Sequence, residues 1–526
     1  MSPANAPSTS AGSGVRRAEL MASLSMATDL AMGQPMEYAM ASCVVAVRLG
    51  EAAGLGEQEL KDVYYEALLR YIGCNADAAW LASMVGDEIH LRKGFALIDG
   101  ADDAAALALM LRSIRASNAG ANPIRLTLSV LQGLRQVPLL KTSFFPGHCE
   151  VASRLAQRMG FAPAFVTTVG QLYARWDGKG VPALKGDGIA VAMQVVSLAQ
   201  DAVTFYRAGG IDAVRGMARA RSGKAHSPRL CALLRERAGE FLAGMQEGPG
   251  WDEVLALEPG PPVQLEGKQL DAACEAIDDF TDLKSPWHLG HSRRVAELAA
   301  GAARQLSLPE EDVARVRRAG WLHDIGRCGV SAAVGAQAGA MSDRQWEQMR
   351  LHPYHTGRIL SRPEVLGRIG ELAATHHERL DGSGYSKGLK GAMLDAPARV
   401  LMAAHRYVSL REERAHRAAL SDAEAADALL VEARSGRLDL PSVNALLACA
   451  GHTVRPARSS HAGGLTEREV EVLRHLAHGA TLKMVARELG LAVKTVDRHA
   501  QNIYTKIGVS TRAGATLFAV ENHLLD

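Results

Sequence analysis

Cysteine is scarce and unpaired in this chain. Its seven cysteines stand singly at 43, 74, 149, 231, 274, 328 and 449, and no Cys-x-x-Cys occurs. That pattern argues against a thiolate zinc site or a disulfide scaffold and fits a reducing, cytoplasmic setting. Aromatic residues make up only 5% of the sequence, and no apolar run reaches the roughly 18–20 residues of a membrane span. Residues 1–14 are rich in Ser, Ala, Pro and Gly and lack the apolar stretch of a signal peptide, so a disordered tail is expected there. Net charge is small too, +2 over 526 residues. Global attraction to nucleic acid is therefore absent, and any DNA binding must come from a local face.

What the chain does have is length and helix formers. Hydrophobic residues reach 48%, with Ala and Leu dominant, which predicts an all-α fold with sizeable cores. The length suggests about three domains. Gly248-Pro-Gly, followed by Glu258-Pro-Gly-Pro-Pro262, cannot continue a helix, and Arg455-Pro-Ala-Arg-Ser-Ser-His-Ala-Gly-Gly464 is a second break. Domains are expected at 15–247, 263–453 and 465–526, joined by linkers at 248–262 and 454–464.

The first two pieces read as copies of one helical plan. Arg175-Trp-Asp-Gly-Lys-Gly-Val-Pro182 matches Arg379-Leu-Asp-Gly-Ser-Gly-Tyr-Ser386, and Asp177 and Asp381 each follow a histidine, His148 and His352, by 29 residues. Continuing forward 24 residues reaches Asp201 in one copy and His405 in the other. Ala67-Leu-Leu-Arg-Tyr-Ile-Gly-Cys74 mirrors Gly320-Trp-Leu-His-Asp-Ile-Gly-Arg327. Where the second copy has His323-Asp324 and His376-His377, the first has Arg70-Tyr71 and Leu172-Tyr173. A domain so altered keeps its shape and loses its metal ligands.

The second copy carries the chemistry. A histidine beside an aspartate in an apolar helical segment is costly to bury unless something pairs with it. Divalent metal is the natural partner, since imidazole nitrogen and carboxylate oxygen both bind it. His291, His323-Asp324, His352 and His376-His377 lie on separate predicted helices, so they can converge inside a bundle, as carboxylate–histidine metal sites do.

In this order and spacing, residues 263–425 resemble the HD-GYP subgroup of the HD phosphohydrolase superfamily. The resemblance implies tandem HD-like bundles, the first degenerate. It implies two divalent metals, iron, manganese or another first-row ion, that share Asp324. His291 and His323 would complete one metal's ligands, and His352, His376 and His377 the other's. It also implies Asp324 and Arg327 as catalytic, and Arg327, Asp381, Gly384 and Tyr385 as substrate contacts. A cyclic dinucleotide, by default cyclic di-GMP, would be the substrate, attacked by metal-activated water. This chain departs from the family at several positions. His405 stands where the family has an aspartate ligand to the first metal, and is expected to ligate in its place. Arg327 replaces a lysine, Ser386 the last residue of Gly-Tyr-Pro, and Gln337-Ala-Gly339 a Lys-Pro-Gly. Trp287 replaces the carboxylate that would hold a third metal, so none is expected.

The C-terminal 62 residues open with a capping box at Thr466 and Glu469 and contain three further helical segments, about 482–489, 493–507 and 511–523. Leu489-Gly-Leu491 supplies a tight turn. With Lys494-Thr-Val-Asp-Arg-His499, Asn502-Ile-Tyr and Lys506-Ile-Gly-Val-Ser-Thr-Arg512, the module resembles the four-helix LuxR-type helix-turn-helix domain. That implies double-stranded DNA as partner, with Lys494, Thr495, Val496 and Arg498 facing the major groove. Lys483, His499, Asn502 and Lys506 would hold phosphates. The whole reads as a DNA-binding transcriptional regulator, expected to be a homodimer without membrane attachment, with an HD-GYP-like site that senses or cleaves a phosphorylated ligand. The alternatives are a cyclic di-GMP phosphodiesterase with accessory DNA binding, and a catalytically dead scaffold.

Overall fold

A computed structural model describes residues 14–118, 143–246, 248–453 and 460–525, with scattered positions between 122 and 135. Nearly all of the expected tail at 1–14 and part of the expected linker at 454–464 lie outside the described residues. Among the described residues the only strands are two short antiparallel pairs, Val15–Arg16 with Gln264–Leu265 and Ser460–His461 with Leu465–Thr466. The rest of the ordered structure is helical, as the Ala- and Leu-rich composition predicts.

The repeat is visible in the backbone. In the first half the helices Arg17–Ala31, Tyr38–Ala52 and Glu57–Leu69 follow one another, then Phe145–Arg158 and Val191–Arg221. The second half runs Gly267–Asp282, His291–Gln305, Glu310–Leu322, His352–Leu360 and Ala396–Arg411. Asp29 accepts a hydrogen bond from the Ala39 amide at 3.1 Å, and Asp282 accepts one from the Ser292 amide at the same 3.1 Å. A Cβ on Gly73 would collide with the His148 carbonyl, and one on Gly326 with the His352 carbonyl. Both copies thus need glycine where the segment after the third helix crosses a histidine backbone.

The expected separation at 248–262 is corrected. Residues up to Ala450 form one compact unit and those from Gly451 a second. The 248–262 segment contains the helix Trp251–Ala256 with Val254 buried, and its Glu258 accepts from Arg16 Nε at 2.5 Å and from the Tyr65 hydroxyl. Gly and Pro stop a long helix there without preventing the residues between them from packing. Further polar contacts join the copies. Asn75 Nδ2 donates to the Phe280 carbonyl at 3.1 Å. Fully buried Glu88 accepts from Ser331 Oγ at 2.6 Å and the Ala332 amide at 2.9 Å, and lies 3.5 Å from Lys284 Nζ.

The second unit has the helices Glu467–Ala477, Leu482–Glu488, Val493–Ile507 and Arg512–Glu521. Thr466 and Glu469 form the expected capping box. Leu465, Leu473, Val485, Val496 and Ile503 are among the residues that close its core.

Candidate metal centre and nucleic-acid interface

Three histidines of the second copy sit where helices end. His323 follows the helix Glu310–Leu322, His352 follows Asp343–Arg350, and His376 follows Glu364–Ala373. The last carbonyls of an α-helix have no partners within it. Each ring uses one: Nδ1 lies 2.7 Å from the Gly320 carbonyl in His323, 2.6 Å from Met349 in His352 and 2.6 Å from Ala373 in His376. Donating there fixes the tautomer, so each Nε2 presents a lone pair. All three aim at one atom. Asp324 Oδ1 lies 3.6 Å from His323 Nε2, 3.3 Å from His352 Nε2 and 3.5 Å from His376 Nε2.

That oxygen is buried without a hydrogen-bond partner, and so is His291 Nε2. His352 Nε2 is 3.0 Å from His376 Nε2, and His405 Nδ1 is 3.2 Å from His323 Nε2. The His352 and His376 lone pairs, facing each other at such a distance, repel unless a cation lies between them. The ligating atoms of His291, His323 and His405 all lie within 4.8 Å of one another, as do those of His352, His376 and His377, and of His323, Asp324 and His376. The residues therefore fit divalent metal, and the structure brings together every expected ligand, His405 included.

Electrostatics agree. Burial pushes His323, His377 and His405 well below the usual imidazole range and His352 down to about 4, so all four are neutral donors. Burial works against charge on Asp324, but its carboxyl is held well below its ordinary value, with the Arg327 guanidinium among the causes. Arg327 Nη1 donates to Asp324 Oδ2 at 3.1 Å and lines the cleft with Lys284 and His288.

The loop residues divide. Tyr385 stacks on His377 with centroids 4.5 Å apart, and the Arg350 guanidinium lies 5.7 Å from its ring centre. Asp381 folds its own loop, accepting from the Ser383 amide at 2.9 Å and hydroxyl at 2.6 Å. Gly384 is there for space, since a Cβ would strike the Glu378 and Arg379 backbone.

In the C-terminal unit Lys494, Thr495 and Arg498 are exposed on the first turns of Val493–Ile507, and Lys483 and Asn502 are also exposed. His499 is half-buried, and Lys506 Nζ lies 2.5 Å from Glu469 Oε2. Val496 is a correction: it is fully buried in the core and cannot face a groove. Together with Ala500 and Ile503 it forms the apolar stripe on which this helix packs.

Sequence reasoning missed Glu412 and Arg414. Glu412 Oε2 lies 2.8 Å from His291 Nδ1, while Arg414 donates to Glu412 Oε2 at 2.7 Å and to His288 Nε2 at 2.6 Å. Both follow the end of the helix Ala396–Arg411, and no motif marks them.

Residues 275–441 match the HD domain family, and 464–519 match the bacterial regulatory proteins of the luxR family. A 3'3'-cGAMP-specific phosphodiesterase of Vibrio cholerae is 28% identical over 409 residues, 76% of this chain and 88% of the relative. A cyclic di-GMP phosphodiesterase of Thermotoga maritima is 32% identical over 155 residues, 29% of this chain and 42% of that protein. The crystal structure of a cyclic GMP-AMP-specific phosphodiesterase from V. cholerae shares the fold, with a TM-score of 0.57 and 24% identity over 84% of this chain and 99% of that one. No helix among the described residues is long and apolar enough to cross a membrane. The chain carries an HD domain followed by a C-terminal LuxR-family domain, and it is homologous to the HD-GYP phosphodiesterases of cyclic dinucleotides.

Proposed function

We propose that this protein is a DNA-binding transcriptional regulator whose metal centre binds and hydrolyses a 3'3'-linked cyclic dinucleotide. The observation that carries the reading is the convergence of three tautomer-locked Nε2 atoms on the unpartnered Asp324 Oδ1. His291, His323, His405 and Asp324 would hold one ion, and Asp324, His352, His376 and His377 the other. Such ions acidify a bound water and stabilise charge developing on phosphorus.

The chain's own residues supply the rest. Neutral imidazoles add no charge to the centre, so Asp324 balances part of the cation charge. Arg327, anchored on Asp324, presents a guanidinium to the phosphodiester at the cleft. Tyr385, held between His377 and Arg350, fixes the His377 ring beside the centre. Lys494 and Arg498 read bases, and the DNA-binding units act as a pair on two half-sites in a homodimer. Solution mass on DNA checks that arrangement, and a strict monomer would refute it.

The test is metal analysis of the purified protein coupled to hydrolysis assays with 3'3'-cGAMP and cyclic di-GMP. Linear product from either supports the reading; metal-loaded protein that neither binds nor cleaves them overturns it. His405 in place of an aspartate, and the missing lysine at Gln337-Ala-Gly339, favour one second reading, a sensor that binds the nucleotide without turnover.

A further inference from the structure

The histidines of the metal centre are not held alike. His323, His352 and His376 stand at helix C-terminal ends and lean on orphan carbonyls. His291 is the first residue of its helix, His291–Gln305. A helix N-terminus exposes N–H groups, and no α-helix ends directly before His291 to offer its Nδ1 a spare carbonyl, as Asp343–Arg350 does for His352. The His291 ring is nonetheless fully buried, and its Nδ1 lies 2.8 Å from Glu412 Oε2.

Glu412 comes from across the bundle, as the first residue past the helix Ala396–Arg411, seven positions beyond His405. It is itself held from two sides. Arg294, one turn along from His291, donates through Nε to Oε1 at 3.1 Å, and Arg414 donates to Oε2 at 2.7 Å. Only 10% of the Glu412 side chain is exposed. Charge bookkeeping gives this contact a purpose. Asp324 is the one carboxylate among the grouped ligands of the described residues, because His405 and Trp287 occupy positions where a carboxylate was expected. A divalent ion held by three imidazoles and a shared Asp324, with Arg327 and Arg414 nearby, is short of negative charge. A carboxylate on the far nitrogen of a ligating histidine restores part of it, fixes the ring and raises its basicity.

We infer that Glu412 is the positioning residue of the first metal site, orienting His291 and supplying through it the negative charge that His405 does not. The inference rests on the metal-centre reading above. Glu412 does not ligate; it acts through His291.

The experiment uses the full chain, stripped of metal by chelation and titrated with Mn2+ and separately with Zn2+ by calorimetry, with metal per chain counted after gel filtration. For Glu412→Gln, which keeps the shape and removes the charge, one class of site is expected to weaken about 10–100-fold. The class formed by His352, His376 and His377 is expected to stay at its wild-type affinity. Arg294→Gln, which removes one of the two clamps on Glu412 and leaves its contact with His291 in place, is expected to weaken the first class by a smaller factor than Glu412→Gln and to leave the other class unchanged. A structural role is separated by a double-mutant cycle. In a His291→Ala background, adding Glu412→Gln is expected to cause no further loss of metal affinity. Wild-type metal binding in Glu412→Gln, or additive losses in the double variant, would overturn the inference while the metal centre stands. A wild-type chain that takes up neither ion would overturn the centre and the inference together. Should Glu412→Gln fail to fold, Arg414→Gln, which removes one of the two clamps on Glu412, is expected to weaken the same class by a smaller factor, and unchanged affinity there would overturn the inference.

Discussion

The two copies bury polar groups at the same place and treat them in opposite ways. After Glu310–Leu322 the second copy presents His323 and Asp324, with lone pairs aimed inward and Asp324 Oδ1 unpartnered. After Glu57–Leu69 the first presents Arg70 and Tyr71. Arg70 donates to the Leu172 carbonyl and, through Nε at 2.8 Å, to Gln200 Oε1, while Gln200 Nε2 donates to the Tyr71 hydroxyl. Asp201, the counterpart of His405, lies 2.6 Å from His226 Nε2 and also pairs with Arg221. Even the retained histidine, His148, has Asp77 2.8 Å from one nitrogen and the Tyr173 hydroxyl 2.9 Å from the other. A permanent guanidinium and side chains paired with one another stand where ions would sit. Buried polarity alone therefore does not mark a metal site; donors left facing each other do.

The largest expected effect comes from making the second copy resemble the first. His323→Ala with Asp324→Ala should bring bound metal to background, with helical content preserved by circular dichroism. Unchanged metal stoichiometry would refute the ligand assignment. Next, Lys494→Ala with Arg498→Ala should abolish sequence-specific retention in a gel-shift assay, since each base contact contributes about 1–3 kcal/mol. Metal content and the melting of both copies should not change. In the first copy, Arg70→Ala should lower stability by about 1–3 kcal/mol for each buried acceptor it strands, read by urea unfolding. Equal stability would mean that the network there is loose.

A further effect is a pH slope. Glu66 is fully buried where the second copy has Ala319, and burial pushes its carboxyl up to about 8. Between its ordinary value of 4.5 and about 8 the unfolded chain releases a proton that the native chain keeps. Stability is therefore greatest below that window and falls as pH rises through it, becoming level above about 8. Glu66→Gln should flatten the decline between pH 5 and pH 8 in urea titrations, and an unaltered slope would assign it to other groups.

The ligand set was legible because its members are reactive residue types at fixed spacings on separate helices. The helix boundaries of the C-terminal unit were legible for a similar reason, with Thr466, Glu469 and Gly490 punctuating them. Val496 was misread although its spacing to Ala500 and Ile503 is that of a core stripe; a position in the first turn of a groove helix outweighed the period. The ordered brace at 248–262 hid behind its glycines and prolines, which report where helices stop and not whether the residues between them pack. Glu412 left no trace in the sequence, because its contact with His291 spans 121 positions and joins two helix ends.

Glu88 sets a limit on how this protein can be divided. It lies in the first copy, yet it is the anionic partner of Lys284 and the acceptor for the Ser331–Ala332 turn just beyond Arg327. A fragment beginning at 263 would keep every histidine ligand and still strand a buried ammonium beside its own cleft. The first copy therefore supports, from behind, Lys284, Ser331 and Ala332, which line the cleft of the second. A fragment meant to keep that cleft intact has to include Glu88, far before residue 275 where the match to the HD domain family begins.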